Sequence, residues 1–438
     1  MALARTLGHS GFRRLWFGQL ASRIGDSVHE IALVWVVYEV TGDATLLSLT
    51  FVASFLPTVA LSLPAGALVD RVNRKYVLVV SDLVRAAAVL VIPFVGRGPL
   101  LVPTVLSVAF LTGVADAFDG PARNAFVPRL VPESDLDGAN SLVRMTSTLS
   151  QVLFAAGGVV VAVFGSFVAF YVDAATFVVS ALFVASIPSE HGVPVREEAE
   201  EAAAAGAGFV RSAAAEMVAD VRTVLGFVRE RPLLRNLLVL GAVLQFAVAP
   251  VNVAVPVYAP TLPVPGSLAL GLVYSAFFSG MTMGTVVIGR FDGFVDAVRG
   301  VLVVAGIVGF GVGLLAAVLP APTTYLGVAG VLALFAFAGF GFAAATVPRQ
   351  TLAHLLVPDS RRGRYMAVAT TLSHGAFVVG LAVTGPLVDR AGARVTLLGV
   401  GVLVASIGAV FAFQPVASAH HEASTDAADP AGGVDADS

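Results

Sequence analysis

Four ionisable residues fall within eight positions of an otherwise apolar stretch: Arg23, Asp26, His29 and Glu30. Arg23 and Asp26 are three apart, and Asp26 and Glu30 four apart, so on a helix all of them share one face. A carboxyl group in such a place can exchange a proton, because burial favours its neutral form and a neighbouring arginine its charged form. The competing reading is a static ion pair that fixes helix packing. His29 reads as a polar partner rather than a switch. A second set is Asp116, Asp119 and Arg123. Asp119 and Arg123 have the spacing of an interfacial pair, which is worth little. Asp116 lies one turn deeper and joins Asp26, Glu30 and Arg23 as a proton-coupling candidate. Other chemistry is excluded. With no cysteine there is no disulfide, thiolate metal site or Cys nucleophile. No Ser/His/Asp or metal-ligand constellation has fitting spacing, and no Gly-x-x-x-x-Gly-Lys-Ser/Thr loop is present to use ATP. The chain is therefore expected to be no enzyme, and to need no metal or cofactor.

The elements that must hold these residues are membrane spans. Of 438 residues, 57% are hydrophobic and 13% charged, with mean hydropathy +0.89. A soluble chain of that balance would expose too much apolar surface. About twelve apolar runs are near the ~20 residues that cross a bilayer. They lie at 15–40, 46–68, 76–95, 100–118, 142–164, 167–187, 233–258, 268–288, 301–319, 325–347, 365–388 and 395–413. They are too long and too uniformly apolar for barrel strands, and a lipid-facing backbone must satisfy its own hydrogen bonds, so they are helices. Leu15 to Asp26 is a rise of about 16 Å, near mid-bilayer, and an acid at that depth is a functional candidate by default. With the N-terminus inside, 21 of the 26 basic residues fall in inside segments. This places both termini in the cytoplasm. No cleaved signal peptide is expected at the polar start Met1–Arg14.

The expected organisation is two six-helix halves, 1–187 and 233–414, in one orientation. Leu130–Ser134 (LVPES) and Leu356–Ser360 (LVPDS) repeat, each followed by a polar patch and a similar span entry. Residues 188–232 form a cytoplasmic linker. Its acidic start is expected to be mobile, and its end to be an amphipathic helix through Met217, Val221, Val224, Leu225 and Val228. The tail 415–438 is acidic and expected to be disordered.

One loop is more specific. Gly66-Ala-Leu-Val-Asp70-Arg71-Val-Asn-Arg74-Lys75 joins the second and third spans. It resembles the signature loop of the major facilitator superfamily of transporters, with Asn73 where that family usually has Gly; Asn tolerates the left-handed backbone. Phe12–Gly42, Ser81-Asp82-Leu83-Val84-Arg85, Pro121-Ala122-Arg123 and Ala139-Asn140-Ser141-Leu142 resemble that superfamily's macrolide-efflux and enterobactin-exporter-like branch. The chain departs from proton antiporters of the wider family in having no arginine inside the fourth span. It also has Ala155-Ala156-Gly157-Gly158 where drug–proton antiporters often carry Gly-Pro.

The resemblance implies an all-α membrane fold of about twelve helices and a cytoplasmic gate of Gly66, Asp70, Arg71, Arg74, Asp82 and Arg85. In that gate Asp70 lies by the start of the eleventh span near Arg364, and Gly66 lets helices approach. Substrate-cavity candidates are Trp35, Gln151, Gln245, Asn252, Tyr274 and His374, polar or amphipathic positions in apolar spans that could equally be interhelical glue. The expected function is export of an amphipathic small molecule, such as a drug or siderophore, by proton antiport with alternating access. An uncoupled lipid or metabolite carrier, and a sensor or scaffold that kept the fold, remain open. Expected partners are that substrate, protons and the bilayer of the cell membrane, with no nucleic acid and a monomeric state.

Overall fold

Long apolar stretches leave the backbone one way to pair its own polar groups away from water, and this chain takes it. The computed structural model describes residues 2–193, 221–290, 292–319 and 325–412, and among these it has helices and no strand. A short α1 (Ala2–Thr6) leads into α2 (Ser10–Thr41), α3 (Ala44–Val69), α4 (Arg74–Val95) and α5 (Leu101–Phe126). Then come α6 (Leu136–Val152), α7 (Phe154–Phe164) and α8 (Ser166–Ala185). A helix over 221–229, α9, precedes α10 (Pro232–Tyr258), α11 (Gly266–Arg290), α12 (Asp292–Val318), α13 (Gly327–Leu356), α14 (Asp359–Ala391) and α15 (Ala393–Ala412). Ten of these are long and apolar enough to cross a membrane, and the bent pair α6–α7 makes eleven. The 32-residue α2 carries Arg23, Asp26, His29 and Glu30 along its middle and is the twelfth by length.

Local chemistry sets the helix ends. Gly42 closes α2 in the left-handed conformation at φ 62°, and its N–H donates to Tyr38 O at 2.8 Å. Asp43 then caps α3 by accepting from Leu46 N at 2.8 Å. Asn73 caps α4 in the same way, accepting from Lys75 N at 3.1 Å. Its φ of −68° is ordinary, so the left-handed backbone expected at Asn73 is not used; the cap is the reason an Asn serves there.

The fifth span, expected to be continuous over 142–164, breaks at Leu153 with a bend of 42°. A neighbouring helix repairs the backbone. The Ser275 hydroxyl on α11 accepts from Ala155 N at 2.7 Å and donates to Val152 O at 2.8 Å.

The chain divides into two compact units. The first comprises Met1–Ala219, Val248–Ala276 and Phe377–Thr396; the second comprises Asp220–Ala247, Phe277–Ala376 and Leu397–Ser438. In the first, α2 packs along α8, α3 along α5, and α4 against both α5 and α8. Phe12, Leu15, Val69, Leu78, Phe126 and Leu142 form a buried core where the ends of these helices meet. The short α1 is tied down here: Arg5 Nε donates to Asp135 Oδ1 at 2.6 Å, and His9 Nε2 lies 2.8 Å from Asp135 Oδ2.

In the second unit α12 packs along α13. Phe277, Phe310 and Phe342 stack there, with the Phe310 and Phe342 rings 5.3 Å apart. In α9, Val224 and Val228 are buried while Leu225 is 48% exposed, so the apolar face is narrower than expected. Met217, the acidic run Glu197–Glu201 and the tail 415–438 lie outside the described residues.

Candidate functional site

Nine ionisable residues of the first unit converge on one cavity of about 370 Å³. Helix α2 supplies Arg23, Asp26, His29 and Glu30, one per turn or nearly so, on the face toward α5 and α8. Helix α4 supplies Arg85, α5 supplies Asp116, Asp119 and Arg123, and α8 supplies Asp173. Phe51, Phe55 and Phe177 complete the lining with apolar surface.

Arg85 is the hub. Its side chain is 3% exposed, and its guanidinium meets Asp116 at 2.9 Å, Asp119 at 3.1 Å and Asp82 at 3.2 Å. It also lies 4.8 Å from the Phe177 ring centroid. A buried guanidinium can hold several carboxylates because its donors fan out in one plane. Asp119 is shared further, with Arg123 at 3.4 Å and Arg23 at 3.8 Å. Its side chain is 7% exposed. The interfacial Asp119–Arg123 pair expected from spacing is thus a buried network instead, because α4 covers it with Arg85. Asp26 pairs with Arg23 at 3.3 Å.

Asp82 and Arg85, expected with the loop gate, sit in this cluster instead. Arg85 is 11 residues into α4, which carries it about 16 Å from the loop.

Sequence reasoning passed over Asp173. Its side chain is fully buried, and His29 Nδ1 stands 3.0 Å from its Oδ2. It is the one acid in the apolar run of α8, and that isolation was the available signal.

The loop residues are placed differently. Asp70 is exposed at the end of α3, and its N–H donates to Gly66 O at 3.1 Å. Arg74 is buried at 3% exposure, and Arg71 is half-buried. A Cβ added at Gly66 would meet nothing within 4 Å, so the close helix approach expected there is absent. Close approach occurs at Gly157 and Gly158 instead. There a Cβ would come 2.7 Å from Ser27 O and 2.6 Å from Ser267 O.

None of the six cavity candidates lines this cavity. Tyr274 donates to Asn252 O at 3.0 Å, and the Asn252 amide donates to Val248 O at 3.3 Å, so both tie α10 to α11 or to itself. The Trp35 ring packs against Gly266. Gln151 and Gln245 are half-buried, and His374 is exposed.

A ring of paired charges beside apolar surface, inside a bundle of membrane helices, can bind an amphipathic guest and exchange protons. The chain is similar to known transporters. The multidrug efflux pump Tap of Mycolicibacterium fortuitum is 27% identical over 410 residues, covering 91% of this chain and 94% of that protein. Macrolide efflux protein A of Streptococcus pyogenes is 24% identical over 402 residues, with coverage of 91% and 94%. Among solved structures, the nucleoside transporter NupG superposes with TM-score 0.69 at 14% identity, covering 94% of this chain and 98% of that one. A POT family transporter in complex with 5-aminolevulinic acid gives 0.66 at 14% identity, with coverage of 92% and 96%. These solved structures share the all-α fold of about twelve helices. The family model of the Major Facilitator Superfamily matches residues 15–380 and 265–432, and the chain belongs to that family as a multi-pass membrane transporter.

Proposed function

We propose that this protein exports an amphipathic small molecule across the cell membrane in exchange for protons, by alternating access, with both termini in the cytoplasm. The observation that carries the reading is the cavity of about 370 Å³ in which arginines and carboxylates from α2, α4, α5 and α8 meet aromatic surface. Charges at that depth are costly, so a cluster of them marks a candidate functional site. The relatives named as drug and macrolide efflux pumps support a substrate of that class. In this reading Asp26 and Glu30 exchange protons with the cavity, and Arg23 and Asp116 tune them. The loop residues Gly66, Asp70, Arg71 and Arg74 form the cytoplasmic gate. Its opening is a shift between two states, so a gate mutation changes populations rather than fold. The two six-helix halves rock about the substrate, and Trp35, Gln151, Gln245, Asn252, Tyr274 and His374 contact it in a state other than the one described.

The test is reconstitution into liposomes with internal pH recorded while lipophilic drugs and siderophores are added. Substrate-dependent pH change is expected, and Asp26→Asn is expected to abolish pH-driven uptake with folding intact. Substrate flux without pH change would replace antiport by an uncoupled carrier. Silence across the panel would favour the non-transporting scaffold.

A further inference from the structure

Every aspartate of the cluster except Asp173 has an arginine within reach. Arg85 holds Asp82, Asp116 and Asp119 at 3.2, 2.9 and 3.1 Å, and Arg23 holds Asp26 at 3.3 Å. An arginine does not give up its charge, so each of these carboxyls keeps a permanent cation beside it whether or not it binds a proton. Asp173 is held differently. Its partner is His29, whose charge can change near neutral pH, with Nδ1 3.0 Å from Oδ2. Among the described residues no protein donor makes a well-aligned hydrogen bond to either Asp173 oxygen, and both oxygens are buried.

The surroundings fix the pair. A Cβ at Gly25 would come 2.7 Å from Asp173 Oδ1, so that glycine lets the carboxyl lie against α2. The Phe170 ring meets the imidazole edge-on, with centroids 5.5 Å apart. Both His29 and Asp173 line the cavity.

We propose that Asp173, paired with His29, is a proton-binding site of the transport cycle, loaded from and emptied into the cavity beside Asp26 and Glu30. The proposal rests on the antiport reading above. A buried carboxylate without a well-aligned donor is expensive, and a bound proton removes that cost. The only bond made or broken is O–H on Asp173 or N–H on His29. Loading takes the pair from one negative charge to none, whether as acid with neutral imidazole or as carboxylate with imidazolium. Unloading returns the proton to the cavity. The other charged groups lining the cavity with the pair are Arg23, Asp26 and Glu30 from α2, Arg85 from α4, and Asp116, Asp119 and Arg123 from α5. Helix α7, packed on α2 and α8, has no ionisable residue. The arginines offset most of this negative charge, and the pair is left to respond to the proton.

Two measurements test the assignment, both on the full chain. In infrared difference spectra of the purified protein taken across a pH titration, the wild type should show a carboxylic C=O or an imidazolium band that is lost or shifted in Asp173→Asn. An Asp173→Asn spectrum that titrates as the wild type does would overturn the proposal. In liposomes, ethidium is the probe, because its fixed charge brings no proton of its own. Asp173→Asn should lose most of its pH-driven ethidium uptake. Exchange of labelled for unlabelled ethidium without a gradient should fall much less than pH-driven uptake; equal loss of both would mark a merely structural role and overturn the assignment. His29→Gln should behave alike, and serves where Asp173→Asn does not purify as a single species. Undiminished pH-driven uptake in both variants would overturn the assignment while antiport stands. A wild-type protein whose ethidium uptake ignores the pH gradient would remove the antiport reading, and this site with it.

Discussion

Arg85 spends its donors on Asp116, Asp119 and Asp82, and with 3% of its side chain exposed it has almost no access to solvent. Removing one partner of such a network strands the others. Arg85→Met is therefore expected to destabilise the protein by about 3–5 kcal/mol, the range for breaking a buried pair, read as a lower midpoint in thermal unfolding of the purified protein. Arg85→Lys should recover part of the loss, because an ammonium supplies charge without the planar fan of donors. The exposed pair Arg97–Glu39, 3.0 Å apart with both side chains about half exposed, is the contrast. Arg97→Met should change stability by less than about 1 kcal/mol. At this scale the sequence showed that Asp26, Glu30 and Asp116 were unusual, since each is an acid in an apolar run. It did not show that Asp82 and Arg85 belonged with them, because the family loop drew both toward the gate. It also did not show that Asp173 and His29 were partners, because they are far apart along the chain.

The break between α6 and α7 is the element-scale feature with the clearest cause. A bend of 42° at Leu153 frees backbone groups inside a span, where no lipid can satisfy them. The Ser275 hydroxyl takes one N–H at 2.7 Å and gives its proton to one carbonyl at 2.8 Å. Ser275→Ala is expected to cost about 1–3 kcal/mol by leaving these groups unpaired, and Ser275→Thr, which keeps the hydroxyl, should cost less; thermal unfolding of both variants decides. Beyond the break, α7 crosses α2 at Gly157 and α11 at Gly158, where a Cβ would come within 2.7 Å and 2.6 Å of a carbonyl oxygen. These glycines stand where antiporters of the wider family often carry Gly-Pro. Run length predicted a continuous fifth span because no proline interrupts 142–164. The bend comes from what α11 offers, which lies outside that stretch.

For the whole molecule, the basic residues predict both ends inside, and a reporter fused after Ser438 is expected to read out in the cytoplasm; an external signal would overturn the orientation. Asp70→Asn is expected to raise labelling of cysteines introduced on the cytoplasmic side, by favouring the inward-open state; unchanged labelling would remove Asp70 from the gate. The sequence by itself determined the class of molecule. Each of about twelve apolar runs must close its own hydrogen bonds in lipid, a requirement met locally and therefore legible locally. The caps at Asp43 and Asn73 were local in the same sense, although the reason Asn73 suits its place is its cap rather than its backbone freedom. Only the tertiary structure decided which charges meet. Ion pairs form across helices brought together by packing, so Arg85 found Asp116 and Asp119, and Asp173 found His29 at 3.0 Å, through contacts that no spacing along one helix encodes.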